Sequence, residues 1–152
     1  MVITVEDFEV FCRRSFDGVL RVADRLGDDL INDRPHQTSG NSPFALVTHI
    51  LGACEWWVGH IVLGQPSDRA REREFLATGT VADLHAAVNT WLEMLASRKP
   101  ALAAATELAG IPETQTPLAG DWTVGAAMIH AYEELAQHLG HLEITAELLL
   151  DT

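Results

Sequence analysis

The chain has 152 residues, 47% of them hydrophobic and 21% charged. That is enough to bury a core without disulfides or a structural metal, and the length suits a single domain over residues 1–152. Ten Lys and Arg stand against 22 Asp and Glu, a formal net charge of −12, which argues against nucleic acid and against an anionic membrane surface as partners, since both select for basic clusters.

The elements read as helices almost throughout. Thr4 followed by Asp7 has the spacing of a capping box, and Phe8, Phe11, Cys12, Phe16, Val19, Leu20 and Ala23 recur at helical intervals behind it. This first helix is expected to end near Leu30, before a polar stretch over 32–41. The acidic start lacks the basic and apolar regions of a signal peptide, and no apolar run approaches bilayer-spanning length, so the expected compartment is the cytoplasm. Ser42 as N-cap with Pro43 at the first helical position opens a second helix, expected to run to Leu63 and stop at Gly64. The charged run 68–74 (DRARERE) reads as a solvated face.

Thr80 with Asp83 repeats the capping-box pattern and opens a third helix to about Arg98, where Pro100 is expected to end or kink it. Residues 100–122, rich in Ala, Pro, Thr and Gly, read as a long connection with a short helix from Ala101 to Leu108. A fourth helix follows from Thr123 to about Leu150, with Gly125 and Gly140 lowering its propensity without breaking it. Four long helices make an all-α four-helix bundle, and the long second and third links permit crossovers.

The chemistry-bearing residues concentrate on the fourth helix. His130, Glu134, His138 and His141 are spaced four, four and three apart, so they form one stripe. Glu134 and His138, one turn apart, can aim two ligand atoms at one divalent ion such as zinc, nickel or iron. The second helix offers a third ligand in His49 or His60, which share a face but lie about 16 Å apart along an α-helix. His49 is preferred, because Gly52 and Ala53 leave room beside it and Trp56 could wall a cavity there. The bland alternative is a set of hydrogen-bonded core residues, with Glu134 and His138 as an intrahelical pair and Trp56 as core packing; within the metal reading, His130 and His141 are further candidates as ligands or outer partners. Cys12 and Cys54 form no CxxC and sit in no nucleophile context, and GxSxG, HExxH and phosphate-loop patterns are absent.

Several strings carry a resemblance. Residues 48–57 (THILGACEWW), 133–144 (EELAQHLGHLEI), 21–26 (RVADRL) and 64–69 (GQPSDR) are similar to the DinB/YfiT-like superfamily. The likeness is closest to its mycothiol-dependent proteins, such as the N-terminal domain of the mycothiol-dependent maleylpyruvate isomerase and the thiol S-transferases. The resemblance implies an up-down-down-up DinB-like bundle, often a homodimer. It implies a divalent metal, zinc first, held by His49, Glu134 and His138, with His141 as an outer-sphere or substrate-binding candidate; helical spacing adds His130 and Trp56 as further candidates for such roles. It also implies a reaction: a low-molecular-weight thiol, mycothiol, loses its proton at an open metal position and attacks an electrophilic small molecule. The isomerase carries a further C-terminal domain beyond the stretch matched here, and the shorter relatives point to S-transfer. A metal-dependent hydrolase and a non-catalytic bundle that binds a small molecule or a protein are the alternatives.

Overall fold

A computed structural model describes residues 3–35, 40–112 and 122–151, and the described residues are helical with no strand. Helix α1 spans Val5–Leu30. Its start is closed in both directions: Asp7 N–H donates to Thr4 Oγ1 at 3.1 Å, and Thr4 N–H donates to Asp7 Oδ2 at 2.9 Å. The predicted stripe is buried at Phe8, Cys12, Phe16, Val19 and Ala23, but Phe11 is exposed and meets Tyr132 edge-on. Gly27 takes φ +65° and kinks the last turn, a conformation that favours glycine.

Helix α2 spans Pro43–Glu55, with Ser42 Oγ accepting from Ala45 N–H at 3.3 Å. It continues as a π-helical segment, Trp56–Val62, and turns out of the helix at Gly64 with φ +67°. The sequence reading found no apolar run of membrane-spanning length. Pro43–Val62 is in fact 20 residues long with mean hydropathy 1.2, enough by length and composition, and 67% of its apolar window is buried inside the bundle, which accounts for its character.

Helix α3 is the short Arg71–Glu74, α4 is Val81–Ala104 and α5 is Val124–Leu150. Helix α4 passes through Pro100 rather than ending at Arg98, and the separate helix expected from Ala101 to Leu108 is replaced by its last turn. Pro100 sits near the C-terminus, where only one ladder hydrogen bond is lost, and the buried Leu102 anchors the residues beyond it. Parts of the two expected linkers, 36–39 and 113–121, lie outside the described residues.

Helices α1 and α2 each pack along both α4 and α5 and touch each other little, so they lie diagonally across the bundle. One apolar cluster draws on all four: Phe16 and Val19, Ile50 and Val58, Leu84 and Leu95, Leu135 and Leu142. This pairing brings the middle of α2 against α5, and the polar stripe of α5 onto His49.

Candidate metal centre

His49 is 3% exposed, on the part of α2 that faces α5. Glu134 and His138, one turn apart on α5, are half-buried. One ligand atom from each of the three lies within 4.8 Å of the others. Glu134 Oε2 is 3.7 Å from His138 Nε2, and the His49 and His138 rings stand at 89° with centroids 4.9 Å apart. Two imidazoles and a carboxylate converging at this range match the donor set of a divalent transition-metal site with open positions. The His138 ring beside it holds the Glu134 carboxyl below its usual range, against its partial burial, so Glu134 is ionised at neutral pH and available as a ligand.

The structure separates the remaining candidates. His130 Nδ1–H donates to Glu133 Oε2 at 2.9 Å, and its ring stands edge-on to Trp57 and Trp122, with Nε2 3.8 Å from Glu134 Oε1. His130 is thus a neighbour of Glu134, outside the converging set. His141 is exposed, its ring 6.0 Å from that of His138. His60 falls in the π-helical segment, lies tilted against Trp56 with ring centroids 4.3 Å apart and donates from Nδ1 to the Gln65 carbonyl at 2.7 Å. The eleven-residue spacing no longer returns it to the His49 face, because a π-helical turn takes more residues than an α-helical one.

Trp56 and Trp57 line a cavity of about 210 Å³ together with Ala53, Arg69, Arg71, His49 and Glu134. Cys12 and Cys54 are buried free thiols; burial pushes Cys12 up to about 12 and Cys54 well above its usual value. Neither offers a thiolate to this cavity.

The charged run 68–74 is exposed at Asp68, Arg71, Glu72 and Arg73, as a solvated face would be, and departs from that reading at Arg69 and Glu74. Glu74, its last residue, is buried, and its Oε2 accepts from His49 Nδ1–H at 2.8 Å. Arg69 forks onto the same carboxylate, Nε to Oε1 at 2.6 Å and Nη2 to Oε2 at 2.9 Å. Burial works to raise the Glu74 carboxyl, but the His49 and Arg69 contacts prevail and hold it below the usual range. Phe75 lies against the His49 ring at 4.6 Å, and the Arg71 guanidinium rests over Phe75. The signal available in sequence was the glycine one turn after His49. A Cβ at Gly52 would overlap the Glu74 carboxylate, so Gly52 is where the incoming acid sits.

A family model described as mycothiol-S-transferase matches residues 7–150. The chain belongs to that family, and membership implies a transferase that uses mycothiol as its thiol. Comparison with curated proteins and with solved structures returned no match.

Proposed function

We propose that this chain joins mycothiol to an electrophilic small molecule at a divalent ion, zinc first, held by His49, Glu134 and His138. One observation carries the reading: in a member of this family, two histidines and an ionised glutamate converge within 4.8 Å, two of them lining a cavity large enough for part of a small molecule. Bound there, such an ion would stabilise an entering thiol as its thiolate at neutral pH.

The chain's own residues do the rest. Trp56 and Trp57 offer flat apolar walls that exclude water and orient the reacting partners. Arg69 is neutralised by Glu74, which leaves Arg71 as the lining cation outside an ion pair among the described contacts. Both cysteines are buried and protonated, so the attacking sulfur belongs to the cosubstrate. In the reaction a sulfur–carbon bond forms, the electrophile's leaving group departs with the electron pair of the broken bond, and the thiol proton passes to solvent.

The test uses wild type, Glu134→Ala and His138→Ala. Metal per chain is measured after zinc loading and removal of excess, and each protein is then incubated with mycothiol and a chloro-substituted bimane. Thioether formation by wild type with about one zinc per chain, falling at least about 100-fold in both variants with loss of the metal, is the expected result. Full activity in metal-free variants would overturn the metal reading. Turnover of ester or amide substrates without thiol would assign hydrolysis instead.

A further inference from the structure

The ligand set leaves unexplained why a charged segment folds back to bury a carboxylate against the His49 ring. His49 is buried, so its Nδ1 cannot be satisfied by bulk water. A carboxylate 2.8 Å away accepts and cannot donate, which requires a proton on Nδ1; in the neutral ring, the form that can ligate a metal, the lone pair is then on Nε2. The opposite tautomer would set a nitrogen lone pair against an anion, and its only compensation would be Arg69 Nη2 at 3.5 Å. The Arg69 fork occupies both Glu74 oxygens, so the carboxylate is held in place. Gly52 supplies the space for it.

Resting on the reading of His49, Glu134 and His138 as the ligand set, we propose that Glu74, braced by Arg69 and seated on Gly52, is a positioning residue: it fixes His49 in its Nδ1–H tautomer and leaves Nε2 as the atom offered to the metal. Partners of this kind behind a ligating histidine set its ring orientation and raise its basicity, and their loss costs roughly 10- to 100-fold in metal affinity.

Two measurements on the 152-residue chain test this. Long-range ¹H–¹⁵N correlation spectra of the metal-free protein at pH 8, with the His49 signals assigned through His49→Gln, report the tautomer. Wild type is expected to show a protonated Nδ1 and a bare Nε2, with Glu74→Ala shifting toward the Nε2–H form. Zinc affinity by chelator competition is expected to weaken roughly 10- to 100-fold in Glu74→Ala. Gly52→Ala, which removes no polar group and raises helix propensity, should weaken it in the same direction, and Glu147→Ala, at an exposed acid near the far end of α5, should leave it unchanged. A purely structural role for Glu74 would lower the unfolding midpoint and move neither tautomer nor affinity. An Nε2–H tautomer in wild type overturns the proposal without any variant, as does unchanged affinity in folded Glu74→Ala or Gly52→Ala. If wild type binds no zinc, the ligand reading fails by itself, and the tautomer measurement still decides whether Glu74 orients His49.

Discussion

Zinc added to the metal-free protein is expected to raise its melting temperature by about 5–11 °C, and His138→Ala is expected to abolish most of that rise. The donors come from α2 and α5, 85 positions apart in the chain (49 to 134). An unfolded chain does not hold them together, so an ion held by all three would bind the native state alone. At a free concentration about 100 times the dissociation constant, such a ligand stabilises by about 2.7 kcal/mol. In a chain of this length each kcal/mol moves the midpoint by about 2–4 °C, which gives the stated range. His138→Ala removes one of three donors, and its shift at the same zinc concentration should fall below about 2 °C. Glu147→Ala is the matched control: it is an exposed acid on the same helix, nine positions past His138 and outside the set. The assay is a thermal melt followed by far-UV circular dichroism across a zinc titration, repeated with nickel. A wild-type midpoint that moves with neither ion, or a full shift retained in His138→Ala, would refute the reasoning.

Native protein should react very slowly with a disulfide reagent at pH 8, because a thiol pushed up to about 12 at Cys12 leaves roughly one molecule in ten thousand as thiolate; two thiols should appear on denaturation, and rapid labelling of folded protein would contradict the buried placement. Thr4→Ala and Thr80→Ala should each cost about 1 kcal/mol in urea unfolding, nearly additively, since each removes one capping box on a separate helix. The Asp7 and Asp83 carboxyls are lowered from the usual 3.8, first by the backbone hydrogen bonds of Thr4 and Thr80. Their folded values lie below the unfolded one, so the stability they add is present above about pH 4 and is lost as pH falls through the folded values; the urea midpoint of Asp7→Asn/Asp83→Asn should therefore depend less on pH below 4 than that of wild type.

Most of the helices were legible because their signals are local. Thr4 with Asp7, Ser42 with Pro43, and Thr80 with Asp83 satisfy the first turn's free N–H groups from within three or four residues, and all three starts stand where the sequence puts them. The stripe of His130, Glu134 and His138 is equally local, because residues four apart on one helix must share a face. Pro100 shows the limit of such signals: its local cost is real, but the burial of Leu102 outweighs it near a helix end.

What the chain could not decide alone was which groups from other elements complete the site. His49 and His60 are equivalent by α-helical spacing, and only the π-helical segment, formed where Trp56 and Trp57 pack at the cavity, turns His60 toward Gln65 instead. The run 68–74 has the composition of a solvated face. Glu74 is nevertheless buried, because a glycine on α2 leaves a carboxylate-sized gap and His49 and Arg69 meet the charge there. Backbone hydrogen bonding within a few residues writes the helices into the sequence. Desolvation of Glu74 and its pairing with His49 depend on residues of α2 more than twenty positions away, and only the packed bundle supplies them.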